Sequence, residues 1–543
     1  MKSFCHWSMV TGHWSLRFLT VLLLSTPATA HYHPMIDLGV PTPPPTVDPG
    51  PDAALLRVTI RDAQSRELTS ATVSVNDGDF EPDHDPYASF ALRNSSNRHK
   101  GPIRFRNIPY YFYTDGEFEV RVPPGQAKIL VAKGYEYQPK TVTVHIDDRD
   151  TVDVDISIDR AIDMASRGWY SGDTHVHMSR TGNNDDSLLA ITSAKDIRYT
   201  FLLSMNTDGY DRGEGKYESY YQRKGLGDRT VARRGPYHIT SGQEYRVDQL
   251  GHVTIVLPNE YVPAEGNTDD VEQGPSLAVI ADQVHQRRGF IGPAHGGYHN
   301  QEVDGLLLES KMDFLELLQF GGYRSLGLDG WYDFLNVGFR LPIVGASDYP
   351  PTRELSSEMT YAWSEETPTP RSWMEAVAAG RSFSTSGPLL FLTVDGHRPG
   401  ALITQPDSAS IYAVEISIES PIYPVRHVEM IVNGRIVERA FDADGRSTWQ
   451  LQTSVAIDET SWIAARTYAD AGTDAHTNPV FIYVGGKPRF SADSARNIIA
   501  RLDGSIATID LPTVVRKLNR VRSELLKMIA SKPTNLPLPD LPK

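Results

Sequence analysis

In GWYSGDTHVHM, residues 168–178, His175 and His177 stand one residue apart at the end of a run that reads as a strand. Residues i and i+2 of a strand point to the same face. Both imidazoles would therefore face one cleft, where two neutral ring nitrogens can grip a divalent ion. A His-x-His pair alone is weak evidence, and its company downstream is what strengthens it. Glu244 closes Ser241-Gly242-Gln243-Glu244, His252 opens a strand after Gly251, His295 follows Phe290-Ile291-Gly292-Pro293-Ala294, and Asp348 follows Ile343-Val344-Gly345-Ala346-Ser347. In parallel α/β folds functional residues gather at the C-terminal ends of strands. Histidine, aspartate and glutamate are ligands suited to zinc, manganese or iron. Singly, each has a plain structural reading: His295 as a loop histidine, Asp348 as a helix N-cap, Glu244 as a surface carboxylate. Together they point to a metal centre, and a bound divalent ion lowers the pKa of its water to about 7, ready to attack a carbonyl or phosphorus centre.

The elements that must position these residues are legible in outline. From 165 to about 390, short apolar strands at 199–203, 253–257, 290–292, 314–318 and 342–345 alternate with helical stretches such as 276–288 and 372–379. That is the α/β signature, and it predicts a barrel or a doubly wound sheet. Residues 54–160 read as β: Leu56, Val58 and Ile60, and later Val152, Val154, Ile156 and Ile158, alternate with polar neighbours. Period two with turns between runs predicts a small antiparallel sandwich. Alternation returns over 390–485, with a hairpin at 428–440 turning on Asn433-Gly434. Leu511, Val514, Leu518, Val521, Leu525 and Met528 fall at spacings of three and four, one apolar stripe of a helical tail that docks on the body.

A chain of 543 residues holds about two to four domains. Its net charge of −15, without a run of lysine or arginine, makes nucleic acid an unexpected partner. Lys2 and Arg17 precede the apolar run Phe18–Leu24 and the small-x-small site Ala28-Thr29-Ala30. This pattern predicts an export signal over 1–30 and a periplasmic or extracellular product. The run is too short for a stable span, so no integral membrane segment is expected after cleavage; an uncleaved anchor is the alternative. A proline-rich linker occupies 31–53. The only cysteine, Cys5, lies in the signal, which removes disulfides, thiolate ligands and a cysteine nucleophile together. No nucleophile elbow, Walker loop or dinucleotide fingerprint stands in the sequence.

In order and at these strand ends, GWYSGDTHVHM, GQEYRVDQLGHVTIVLP, PAHGG and GASDYP resemble the PHP metal-dependent hydrolases, and among them the carbaryl-hydrolase-like CehA/McbA branch. RSFSTSGPLLFLTVDG (381–396) and WIAARTYADAGTDAHTNPVFIYVGG (462–486) share the resemblance, which covers roughly 165–505. It implies a multidomain α/β plus β chain. A distorted (β/α)7 barrel would span 163–390, flanked by a β-sandwich at 54–162, a C-terminal β domain at 391–487 and the helical tail at 488–543. It further implies that His175, His177, Glu244 and Asp348 hold a first metal, and that Glu244 bridges to a second completed by His295 and His252.

Two positions depart from the family pattern. Asn206-Thr207-Asp208-Gly209 stands where the family reads Thr-Asp-His, and Ser347-Asp348-Tyr349-Pro350 where it reads Ser-Asp-x-His. Both missing histidines would serve a third metal, so one or two divalent ions are expected, with Asp208 at the rim. His252, His299 or Asp208 would move protons, and Arg246 and Tyr323 would contact substrate unless they serve as a salt bridge and a packed aromatic. The function expected is a secreted hydrolase cleaving an ester, amide, carbamate or phosphoester of a small molecule. The alternative is a non-catalytic secreted binding module on a degenerate barrel. Oligomeric state is open.

Overall fold

The computed structural model describes residues 47–82, 84, 87, 111–147, 149–178, 180, 183–207, 226–247, 250–262, 276–297, 302–349, 354–469 and 473–531. The expected signal segment, most of the linker, Asp208, His299 and Pro350 lie outside them.

Residues 54–158 supply a three-stranded and a four-stranded sheet. Leu56, Val58, Ile60, Val154 and Ile156 turn inward as period two requires, and pack with Val73, Ile129 and Val131 of the other sheet. One pairing departs from the antiparallel expectation: Ala54–Asp62 runs parallel to Thr151–Ile158. A parallel pair needs a crossover between its strands. Here the intervening chain provides it by building the second sheet.

In the middle of the chain, β1 (Trp169–Val176), β2 (Tyr199–Thr207) and β3 (Tyr237–Val247) lie side by side and parallel. Antiparallel strands extend the sheet on both sides: β4 (Gly251–Val256) and β5 (Phe290–Pro293) beyond β3, β8 (Met359–Trp363) and β9 (Ser382–Thr385) beyond β1. A separate small sheet holds the parallel pair β6 (Leu315–Gln319) and β7 (Ile343–Gly345). It is tied to its neighbours by the Asp313 N–H donating to Ile291 O at 2.8 Å and the Gly345 N–H donating to Thr360 Oγ1 at 2.9 Å. The described strands thus form a mixed α/β array of several sheets, and no closed ladder of seven parallel strands. The step from β3 to β4 shows why: it is too short to hold a helix, so β4 returns antiparallel. All of β1 is buried on both faces, as central parallel strands are.

Helices α1 (Asp185–Ala194), α2 (Leu277–Gln286), α3 (Val303–Leu308), α4 (Gly327–Asn336) and α5 (Pro370–Ala378) pack around these strands. The predicted helices are α2, capped by Ser276 Oγ, and α5, opened by a Thr369/Ser372 capping box with proline at its start. The sheet then continues from β9 through Asp474–Thr477, Ser461–Ala469, Val425–Val432 and Arg435–Arg446, so one hydrogen-bonded ladder passes across residue 390. Asn433 and Gly434 turn the hairpin at φ 54° and 84°, the left-handed pair a type I′ turn needs. The tail forms α6 (Ala492–Thr508) and α7 (Pro512–Ser531), and Val514, Leu518, Val521 and Leu525 are buried. No described helix is long and apolar enough to cross a membrane.

Candidate metal centre

His175 lies near the end of β1 and His177 one residue past it, where its N–H donates to Tyr349 O at 2.8 Å. Their Nε2 atoms are 3.0 Å apart, the convergence the one-residue spacing predicts. Glu244, from β3, is buried and faces two histidine pairs with its two oxygens. Oε2 is 3.2 Å from His177 Nε2 and 3.8 Å from His175 Nε2. Oε1 is 3.0 Å from His252 Nδ1 and 3.2 Å from His295 Nε2. Asp348 Oδ1 lies 3.5 and 3.4 Å from the Nε2 atoms of His175 and His177, and Oδ2 lies 3.8 Å from His295 Nδ1. All six residues expected to hold metal come together.

Two of them sit on strained backbone. His295 has φ 55° and Asp348 φ 49°, both left-handed. Such conformations cost on the order of 1–3 kcal/mol each and persist where the surroundings enforce them.

The donor set fits a divalent ion. Glu244 Oε2 and both oxygens of Asp348 are buried without a hydrogen-bond donor. Buried carboxylate oxygens are rarely left so, and each exception calls for an explanation such as an ion. Ring nitrogens sharing one tetrahedral zinc at about 2.0–2.1 Å would lie about 3.3 Å apart, and those of His175 and His177 are at 3.0 Å, within reach of one ion. His175, His177 and Glu244 form one ligand group, Glu244, His252 and His295 another, and His175, His295 and Glu316 a third.

The electrostatics agree. Burial works against charge on His175, but the carboxylates of Glu316 and Asp348 outweigh it and hold its protonation well above the usual range. Burial likewise opposes charge on His295, and contact with Glu244 and Asp348 raises it. Burial alone would raise Glu244, yet the four histidines beside it hold it well below the usual carboxylate range. His252 is pushed down to about 4 by burial, against the pull of Glu244.

Other expected residues are placed differently. Asp208 and His299 fall outside the described residues. Arg246 stands at the edge of the cluster, its Nε–H donating to His252 Nε2 at 3.0 Å. Tyr323 packs among Tyr332, Tyr468 and His476, with its ring 6.3 Å from that of His476, which is the packed-aromatic reading.

Four residues absent from the expected set support it. Glu316 Oε2 and Thr254 Oγ1 lie 2.8 and 3.2 Å from His175 Nδ1. Gln319 Oε1 is 2.8 Å from His295 Nδ1. Asp173 Oδ1 accepts from the backbone N–H of His175 and of Ser347, each at 3.1 Å, tying β1 to the Asp348 loop. Glu316 left a trace in the sequence: it is a carboxylate inside the apolar run Phe314-Leu315-Glu316-Leu317-Leu318.

No family model matches the chain, and no curated protein matches it. A solved structure that matches is a lesion-specific endonuclease, PfuEndoQ from Pyrococcus furiosus, at 12% identity and a TM-score of 0.26, with 39% of this chain and 57% of that chain covered. The aligned part thus spans little more than half of that chain, and a likeness so slight assigns neither fold nor chemistry.

Proposed function

We propose that this chain is an exported metal-dependent hydrolase of the PHP type, of the CehA/McbA branch, cleaving an ester, amide, carbamate or phosphoester of a small molecule. The observation that carries the reading is the trio of donorless buried oxygens, Glu244 Oε2, Asp348 Oδ1 and Asp348 Oδ2, among four histidine rings. His175, His177, Glu244 and Asp348 would hold one ion, and Glu244, His252 and His295 a second. When bound, zinc, manganese or iron supplies Lewis-acid polarisation and water acidified to a pKa of about 7.

The protein's own contribution is positional. Glu244 offers one oxygen to each histidine pair, so one side chain links both halves of the centre. His177 is held by its Nδ1–H donating to Leu203 O at 3.2 Å, which leaves Nε2 to the cluster. Arg246 holds His252 at the rim, where the pair would move a proton and orient a substrate oxygen, and Asp208 and His299 are proposed as further proton carriers. The net charge of −15 supports a small-molecule substrate over nucleic acid. The proposed domain bounds are those read from the sequence, with the metal-binding α/β domain at 163–390.

A second reading, a binding module without turnover, is favoured by Gly209 and Pro350 at the positions of two family histidines. Elemental mass spectrometry on the wild type, His175→Ala and Glu244→Gln, with the same samples screened on p-nitrophenyl esters, carbamates and phosphates, separates the two. The hydrolase reading expects one or two equivalents of metal, and a loss of both metal and turnover in the variants of more than about 100-fold, beyond what supporting residues cost. Metal without turnover on any substrate supports the binding module. A wild type that takes up no metal after reconstitution refutes both forms of the metal reading.

A further inference from the structure

Three carboxylates reach the histidine cluster, and their hydrogen bonding sorts them. Glu244 and Asp348 keep donorless oxygens. Glu316 keeps none: Oε1 accepts from Thr174 Oγ1 at 3.2 Å, and Oε2 lies 2.8 Å from His175 Nδ1. An ionised carboxylate carries no hydrogen, so His175 Nδ1 is the donor and Nε2 is the nitrogen left for other work. That Nε2 faces His177, Glu244 and Asp348.

The same strand does this twice. Gln319 Oε1, also an acceptor only, takes the Nδ1–H of His295 at 2.8 Å and leaves Nε2 facing Glu244 Oε1 at 3.2 Å. Glu316 and Gln319 are three apart, and a regular strand would send them to opposite faces. The register of β6 against β7 shifts between Glu316 and Leu318. Such irregularities re-aim side chains beside active sites, and here one turns both acceptors onto histidines on either side of Glu244.

We propose that Glu316 is the positioning residue of this centre, not a ligand. It holds His175 with Nδ1 protonated and Nε2 presented to the ion, while Gln319 does the same for His295, and the register shift in β6 is the device that lets one strand serve both. The inference rests on the metal-centre reading above and deepens it.

The test is calorimetric titration of the metal-free full-length protein with Mn2+, for the wild type, Glu316→Gln and Glu316→Ala, with circular dichroism as the check on folding. Glu316→Ala is expected to bind the same number of ions about 10–100-fold more weakly. Glu316→Gln keeps an acceptor for Nδ1–H and is expected to recover most of that loss. Loss of a whole equivalent in Glu316→Gln would make Glu316 a ligand and overturn the proposal, as would wild-type affinity in Glu316→Ala. Should the alanine variant fail to fold, 15N-histidine NMR of the zinc-loaded wild type decides: His175 protonated on Nδ1 supports the proposal, and protonation on Nε2 overturns it. A wild type that binds no ion refutes the metal centre itself; ion binding with indifferent variants refutes only the role of Glu316.

Discussion

Behind the ligands, burial governs how the acidic side chains behave. Glu358 is 1% exposed and accepts from the Gly321 N–H at 2.6 Å and from the Ser357 hydroxyl. Burial pushes its carboxyl up to about 8 in spite of both bonds, and Asp173, also buried, is pushed up to about 7. An acid whose folded pKa is raised binds more protons folded than unfolded between the two values. For Glu358 that window runs from the ordinary 4.5 to about 8, and stability falls as pH rises through it. Glu358→Gln keeps an acceptor for Gly321 and removes the titration. Calorimetric melts of the metal-free protein from pH 5 to 8 should therefore show a flatter decline in Tm for the variant, with its advantage over the wild type growing toward pH 8. An unchanged slope would assign the pH dependence to other groups, Asp173 first among them.

At the scale of elements, close strand packing is what brings the ligands into range. A Cβ on Gly242 would lie 2.5 Å from Ile255 O of β4 and 2.8 Å from Leu203 Cδ2 of β2. Gly242 is two residues from Glu244, and β4 carries His252. Gly242→Ala should therefore push β3 from β4, costing about 1–3 kcal/mol as overpacking does, and should weaken metal binding by separating Glu244 from His252. Gly322→Ala, with nothing within 4 Å of its added methyl, is the matched control. Thermal melts and metal titration of the pair check this. A Gly242→Ala protein with wild-type Tm and affinity would mean the strands can part without moving the ligands.

Across the whole molecule, the N-terminal sheets are joined to the central strands by a buried ionic network. Arg160 donates to Glu136 Oε2 at 2.6 Å and to Asp196 Oδ2 at 3.2 Å, and the Tyr237 hydroxyl donates to Asp196 Oδ1 at 2.6 Å. Against burial, Arg160 and Lys133 hold Asp196 down at about 2. Removing one partner of such a network leaves buried charge uncompensated, at about 3–5 kcal/mol. Arg160→Ala should lower Tm and speed limited proteolysis between the first sheets and β1. A variant with wild-type Tm and digestion would show that apolar packing alone joins them.

The sequence by itself determined the local part of this protein. Strand and helix positions such as 199–203 and 276–288 follow from periodicity, which neighbouring residues set. His175 and His177 share a face because i and i+2 of an extended chain always do. His295 and Asp348 just past strand ends and His252 at a strand start were legible from the same periodicity, whereas Glu244 lies inside β3, which runs on to Val247. Tertiary structure decided what depends on pairing between distant segments. The parallel union of 54–62 with 151–158, the antiparallel return of β4 and the register shift in β6 are long-range events. Glu316 read only as a carboxylate out of place in an apolar run, and its partner His175 lies 141 residues away in the chain. Tyr323 could be read as a substrate contact or a packed aromatic until Tyr332 of α4 and Tyr468 and His476 of the C-terminal strands were seen around it. Which face a side chain takes is a local property of the backbone; which residue it meets there is set by register and packing, and only the folded chain specifies those.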